Sequence, residues 1–333
     1  MINLKNIKID LNQIKEKIYR KCTLIKYHFI NHDIFIKDNK KVILFIDGYG
    51  FNGGLTDRFK AIISIKNFAL KYNLIFKLKY DHPFHLEKYM LYHNREIIAT
   101  GEDLKWSMLN TEFIYIKDDP SSIPVFLKKF INRSQKNKIF IYTNLDWLPF
   151  LYTPTTNTSI IWANSFKELF TFNSSIIQKF EYFVSQSLNS NSYIILHARF
   201  TTLLNDFIDV TDINLSTEEE NLLMKHIYNK MLSIADLYKS QSFIIFSDSK
   251  KYLDFVQKMI SFNDIKNMFI YSGSPKHTDR IYNSDNDYEY EFVTFYFMIN
   301  AKKIYQILGH NLYKSQFPLY ASYIKNCEIE YVY

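Results

Sequence analysis

The stretch Val42-Ile43-Leu44-Phe45-Ile46-Asp47-Gly48-Tyr49-Gly50-Phe51-Asn52-Gly53-Gly54-Leu55-Thr56-Asp57-Arg58 decides the fold. An unbroken apolar run ends in a glycine-rich turn, and helical spacing begins near Asp57. Four of the chain's seven glycines, Gly48, Gly50, Gly53 and Gly54, fall in this turn, a concentration that chance explains poorly. Glycine lets the backbone take positive φ and lets a ligand approach the main chain, while the amino end of a following helix favours anions. The spacing is neither a dinucleotide fingerprint nor a nucleoside-triphosphate loop, since no Lys-Ser/Thr follows. A tight structural turn explains the same glycines equally well.

Outward from this unit, short β-rich runs alternate with helical stretches, the pattern of open α/β sheets. Strands are expected at 41–46, 74–80, 112–116, 138–142 and 159–162, and again at 193–197, 243–247, 268–271 and 303–308. Helices are expected at 57–72 and from Ser216 to about Tyr238, where Ser216 and Glu219 form a capping box. A chain of 333 residues at roughly 100 to 200 per domain implies two domains. The simplest solution is two Rossmann-like halves. The polar stretch 173–191, with a helix at 180–188, separates them, giving a basic N-terminal segment 1–38, a first domain 39–185 and a second 186–333. Two such domains facing one another leave a cleft at the carboxyl ends of their strands, where chemistry is to be sought.

Composition narrows the function classes. At 47% hydrophobic and 23% charged residues the chain is globular, neither disordered nor fibrous. The net charge of +7 and a pI near 9.0 raise nucleic acid or an anionic membrane face as partners. The lysines are spread out, however, and RNA-binding signatures and zinc spacings are absent, so a Lys-rich surface explains the charge and no nucleic-acid partner is expected. The nearest approach to a cluster is Lys5 to Lys26, which suits peripheral association with an acidic membrane. Cys22 and Cys327 are too few for a disulfide framework, which points to a reducing cytoplasm. No apolar run reaches the ~18 residues that a membrane span needs. Arginine occurs only at 20, 58, 95, 133, 199 and 280, so compositional drift is a weak explanation for any one of them.

Among these, Arg199 stands out. The run Ile194-Ile195-Leu196-His197-Ala198-Arg199 is a strand that delivers His197 and Arg199 at its carboxyl end. The planar fork of Arg suits a diphosphate, although an ion pair with a carboxylate such as Asp206, and a satisfied buried His197, would explain both residues structurally. Ser247-Asp248-Ser249 closes another strand, able to hold a nucleotide or simply to cap the helix at Lys250. His277-Thr278-Asp279-Arg280 follows a third strand, and Ser315-Gln316-Phe317-Pro318 opens a short helix whose amides suit a phosphate. Asp285-Asn286-Asp287 has the form of a divalent-metal motif, but no apolar strand precedes it, so it reads as a solvated turn and no metal site is expected.

Taken in order, Gly53-Gly54-Leu55-Thr56-Asp57-Arg58, Phe68-Ala69-Leu70-Lys71-Tyr72, His197-Ala198-Arg199, Ser247-Asp248-Ser249 and Ser315-Gln316-Phe317 resemble the motifs of the fucosyltransferase superfamily. That superfamily covers the α-1,2-, α-1,6- and protein O-fucosyltransferases, and the likeness runs over roughly residues 40 to 325 by motif order. The resemblance implies a GT-B fold and an inverting, metal-independent transfer of fucose from GDP-fucose to a hydroxyl of a glycan acceptor such as a surface polysaccharide. No cofactor is implied beyond this donor substrate. Carried over by position, Arg199 and His197 belong to the diphosphate pocket, and Ser247, Asp248, His277 and Asp279 to the nucleotide side. Ser315, Gln316 and Phe317 fall on the phosphate side. Asp57 and Arg58 line the acceptor side of the cleft, with Gly53, Gly54 and Arg58 counted among the donor-binding residues. The reaction needs a base within hydrogen-bond reach of the acceptor hydroxyl, and Asp57 is the best-placed carboxylate, a role rivalled by helix capping. Phe200-Thr201-Thr202 stands where these families often continue with Gly and Asp, and Pro318 where a small residue is common. Another nucleotide sugar, a non-catalytic glycan-binding protein and a nucleic-acid-binding protein are the alternatives.

Overall fold

The computed structural model describes residues 19–20, 22–33, 40–49, 52–117, 119–132, 137–188, 190–207, 215–278, 287–309 and 311–333. Most of the basic segment 1–38, on which the membrane-surface expectation rests, lies outside them. In chain order the strands are β1 (Lys41–Ile46), β2 (Ile75–Tyr80), β3 (Met90–Tyr92), β4 (Thr111–Ile116), β5 (Lys138–Thr143), β6 (Phe170–Phe172), β7 (Tyr193–Ala198), β8 (Ser242–Ser247), β9 (Met268–Ile270), β10 (Lys303–Ile307) and β11 (Glu328–Val332). The longer helices are α1 (Leu55–Lys71), α2 (Ser122–Ile131), α3 (Thr158–Leu169), α4 (Ser174–Ser187), α5 (Thr217–Leu237), α6 (Lys250–Phe262), α7 (Glu289–Asn300) and α8 (Phe317–Lys325).

The described residues gather into two compact units, the first drawn from Met1–Asn52, Asp57–His82 and Asn94–Thr156 and the second from Gly53–Thr56, Pro83–His93 and Asn157–Tyr333. The chain leaves the first unit for the last time after Thr156, ahead of the polar stretch 173–191. The first unit holds a parallel sheet in the order β2-β1-β5-β4. The second holds a parallel sheet in the order β11-β10-β7-β8-β9, beside a small antiparallel pair of β3 and β6. Central strands of parallel sheets are covered on both faces, which requires continuous apolar runs rather than alternation. Val42–Ile46 of β1 and every residue of β7 and β8 are accordingly buried.

One expected strand is a helix. The β-branched Ile160 and Ile161 make 159–162 read as a strand, yet α3 begins there, because Asn157 caps it by accepting the Ser159 amide (3.1 Å). Trp162, Phe166 and Leu169 then recur at helical spacing and are buried. The helix expected at 180–188 is the longer α4. The capping box of α5 forms as expected: Ser216 Oγ accepts the Glu219 amide and Glu219 accepts the Ser216 amide at 2.8 Å. Ser216→Ala is expected to remove about 1 kcal/mol, measurable by chemical denaturation. No helix among the described residues is long and apolar enough to cross a membrane.

Candidate functional site

In an open parallel sheet, ligands bind outside the carboxyl ends of the strands where the chain reverses its direction of winding. In the second unit that point lies between β7 and β10, since the chain runs from β7 to β8 and β9 and returns to place β10 on the other side of β7. His197 is flanked in register by Phe246 of β8 and Gln306 of β10, and Arg199 follows immediately after β7. Arg199 therefore stands at the mouth of this crevice. Its guanidinium carbon lies 5.1 Å from the ring centre of Tyr313, and its Nε lies 3.6 Å from Asp248 Oδ2. That distance is an ion pair rather than a hydrogen bond. The expected alternative partner, Asp206, is instead occupied by Ser249 Oγ (2.9 Å) and the Lys251 amide (2.6 Å) at the start of α6.

Asp248 organises the turn after β7. Its carboxylate accepts the amides of Phe200 and Thr201, both at 2.8 Å, and so fixes the backbone from which Arg199 projects. Burial pushes its pKa up to about 6, against the opposing pull of Arg199 and these amides. His197 is buried, and burial together with Arg199 lowers its pKa to about 3, so the imidazole is neutral. At this strand end it contributes shape rather than charge.

The other singled-out residues divide. Ser247 Oγ accepts the Ser249 amide (3.2 Å), and Ser249 caps α6 by accepting the Tyr252 amide (2.9 Å), so capping accounts for much of this motif. Ser315 is buried, its Oγ accepts the Phe317 amide (3.2 Å), and Pro318 has no amide hydrogen. The start of α8 thus offers a phosphate fewer amides than the sequence promises. With its amide oriented so that both neighbours are satisfied, Gln306, beside His197, donates to the Ser315 carbonyl (3.2 Å) and accepts the Ser315 amide (2.5 Å), which ties this segment to the β7–β10 crevice. Gln316 is exposed at the N-cap of α8 and Phe317 packs on Phe295, 5.1 Å between ring centres. His277 is buried with its ring 6.0 Å from that of Phe207, and Thr278 Oγ1 donates to the Gly53 carbonyl (3.4 Å). Gly53 has φ +75°, the conformation that selects glycine, and is followed by Gly54. Asp279, Asp285 and Asn286 lie outside the described residues, while Asp287 accepts the Tyr89 hydroxyl (2.9 Å) and the Glu289 amide (3.1 Å). No group of three or more metal-ligating side chains occurs among the described residues.

In the first unit, Asp57 sits in the first turn of α1, paired with Lys60 at 2.6 Å. Arg58 is buried, donates to the His82 carbonyl (2.6 Å) and lies over the Tyr80 ring. The sheet of this unit reverses between β1 and β5, and the carboxylate at that point is Asp47, immediately after β1. Asp47 accepts the Tyr49 amide (3.1 Å) and the Tyr142 hydroxyl (3.0 Å), and the Tyr27 hydroxyl also reaches it. Tyr142 has one proton and gives it to Asp47, so His28 Nε2, 2.8 Å away, is the donor to the Tyr142 oxygen. The sequence gives no local sign of this chain, because its members lie far apart along it. Glu291 in α7, a buried carboxylate, accepts the Lys276 amide; burial raises its pKa to about 8. Its only sequence signal is an acid set among Tyr290, Phe292 and Val293.

Two parallel sheets with helical crossovers, and a His-x-Arg strand end at the reversal point of the second, invite comparison with solved structures. NodZ fucosyltransferase from Bradyrhizobium is similar over 86% of this chain and 92% of its own, with a TM-score of 0.53 at 13% identity. The fold is that of GT-B fucosyltransferases. NodZ α-1,6-fucosyltransferase soaked with GDP-fucose gives 0.54 at 12% identity over the same shares. A mutant of Arabidopsis thaliana FUT1 in complex with GDP gives 0.56 at 11% identity, over 91% of this chain and 72% of that one. Neither a protein-family model nor a curated protein matches the sequence. The resemblance first carried by motif order is thus borne out in the fold.

Proposed function

We propose that this protein is an inverting glycosyltransferase that moves fucose from GDP-fucose to a hydroxyl of a glycan acceptor. The observation that carries the reading is Arg199 at the reversal point between β7 and β10, held by Asp248 and Tyr313 on a fold shared with fucosyltransferases. In the proposed reaction the acceptor oxygen bonds to the anomeric carbon as the bond from that carbon to the diphosphate oxygen breaks. The electron pair leaves with GDP, and the acceptor proton passes to a base. Negative charge grows on the diphosphate, where a preorganised guanidinium lowers the barrier. His197, uncharged, shapes the wall beside it, and Gly53-Gly54, His277 and the Ser315–Phe317 turn are assigned to the same donor pocket.

The reading makes the Arg199 guanidinium, rather than a divalent ion, the counter-charge of the diphosphate. GDP is therefore expected to raise the melting temperature in the presence of a chelator, with UDP raising it less. A shift that appears only with Mn²⁺ or Mg²⁺ would assign the charge compensation to a metal, and a larger shift with UDP would change the donor. No shift with either nucleotide, beside one with a single-stranded oligonucleotide, would replace the reading with nucleic-acid binding.

A further inference from the structure

We propose that the open cavity at the amino ends of β7, β10 and β11 is a carbohydrate-binding site, built to hold a neutral sugar unit away from the donor crevice. The inference goes beyond the transferase reading, lies wholly within the second unit and needs nothing from the first.

The cavity arises from the length of one helix. Strand pairing sets Ile194 of β7, Lys303 of β10 and Glu328 of β11 side by side, and the alternation along a strand puts Tyr305 and Glu330 on the same face. The helix α5 covers this face. Its Met231, Ile234 and Ala235 share one core with Ile194 and Tyr305, and the Tyr305 hydroxyl donates to that of Tyr238 (3.0 Å). At Leu237 α5 ends, and the chain turns towards β8 with the Gln241 amide donating to the Tyr238 carbonyl (2.9 Å). Between the end of α5 and the first residues of β10 and β11 a cavity of about 650 Å³ opens, within the ~300–1,000 Å³ of small-molecule sites.

Its place sets it apart from the donor crevice. At a rise of about 3.3 Å per residue, Ile194 and Arg199 stand about 17 Å apart along β7. Open parallel sheets put their reactive ligands at the carboxyl ends of the strands, so the amino end suits binding without chemistry.

The floor is a fixed polar lattice. Lys303 Nζ lies 2.7 Å from Glu328 and 2.8 Å from Glu330, with the Tyr305 ring centre at 4.8 Å. At the rim, packing and helix electrostatics do not account for what is present. Asp236 lies in the last turn of α5, where the helix dipole disfavours a carboxylate, and it forms no ion pair among the described residues. Leu237 is 76% exposed and Tyr238 38%, so an aliphatic side chain and part of an aromatic ring stand open at the mouth. Residues that break a local rule without a structural gain are the mark of a functional surface.

The same groups choose the ligand. Lys239, Lys302 and Lys303 are balanced by Asp236, Glu328 and Glu330, which leaves no excess charge to draw in a phosphate or a nucleotide. Donors and acceptors are instead mixed. Carboxylates stand beside ammonium groups and the Gln241 amide, whose oxygen lies 3.4 Å from Lys302 Nζ. A sugar unit offers the complement, hydroxyls that both donate and accept around a ring with an apolar face to lay on Leu237 and Tyr238.

The test is binding of lactose, maltose and N,N′-diacetylchitobiose to the full chain, followed by saturation-transfer NMR and titration, with D-glucuronate as the anionic comparison. At least one of the neutral disaccharides is expected to bind, more tightly than glucuronate and equally well with saturating GDP. Asp236→Ala is expected to weaken that binding roughly tenfold, the scale of one lost hydrogen bond to a charged group. Its melting temperature should be unchanged or slightly raised, because the helix end is relieved of a carboxylate. Lys302→Ala, on the exposed rim, should weaken binding as well. Failure of all three disaccharides to bind, full affinity in both folded variants, or tighter binding of glucuronate would overturn the inference. So would displacement of the sugar by GDP or its loss in Arg199→Lys, since either moves the sugar to the donor crevice and leaves the transferase reading standing. Sugar binding that depends on Asp236 in a protein that neither binds GDP nor releases it from GDP-fucose would fell that reading alone.

Discussion

Replacing Arg199 with Lys is expected to lower turnover by about a hundredfold or more while leaving the melting temperature nearly unchanged. Lysine keeps the positive charge and loses the planar fork, so the substitution separates a diphosphate clamp from a generic basic residue. Loss of one preorganised donor from a developing oxyanion costs roughly 3 kcal/mol in the transition state. On the folding side little is at stake. The Tyr313 amide donates to the Arg199 carbonyl (3.1 Å), a backbone bond that the substitution keeps. The side-chain ion pair to Asp248 spans 3.6 Å, and the Tyr313 stacking is worth only about 0.5–1 kcal/mol for an exposed aromatic face. GDP release and thermal melting on one preparation decide the matter, beside Lys258→Ala as a control on an exposed lysine. A structural arginine gives the opposite pattern, a lower melting temperature with turnover per folded molecule preserved. Near-normal turnover in the folded variant would remove the main reason for calling this crevice a donor site.

The contrast between Arg199 and Asp47 shows what was legible in the chain. The strands β1, β7 and β8 are continuous apolar runs, so parallel sheets buried on both faces were readable directly, as was the cap of α5. Arg199 was readable because the carboxyl end of a buried strand has a fixed place in such a fold. The run 159–162 misled because propensity favours a strand there, while the Asn157 cap and the buried spacing of Trp162, Phe166 and Leu169 make a helix. Asp47 was unreadable for another reason. Its partner Tyr142 lies 95 positions away, and His28 lies 114 from Tyr142, so only the folded sheet brings them together. Asp248 was legible as a motif but not in its task, because its partners are backbone amides 47 and 48 positions earlier.

That task sets the second large effect. Asp248→Ala is expected to destabilise the protein by about 2–5 kcal/mol, chiefly the cost of leaving two turn amides without their acceptor. It leaves the Phe200 and Thr201 amides without their acceptor at a turn where Phe200 is fully buried against Tyr252 and Thr201 has φ +54°. An unsatisfied buried amide alone costs about 1–3 kcal/mol. Asp248→Asn keeps one acceptor oxygen and should lose less, and it exposes the balance of forces on the wild-type carboxylate. Burial raises the pKa while Arg199 and the two amides lower it, and burial wins, leaving it at about 6 against an ordinary 3.8. Between those values the folded state binds more protons than the unfolded chain, so stability falls as pH rises through the window. Below it the contribution is fully present, and above about 6 it is lost. Two pKa units correspond to about 3 kcal/mol as an order of magnitude. Chemical denaturation from pH 4 to 7 should therefore show the wild type losing stability relative to Asp248→Asn over that range. If the wild type gains instead, the ion pair with Arg199 outweighs burial, and Asp248 is a fully charged clamp on the guanidinium rather than a largely backbone-directed support for it.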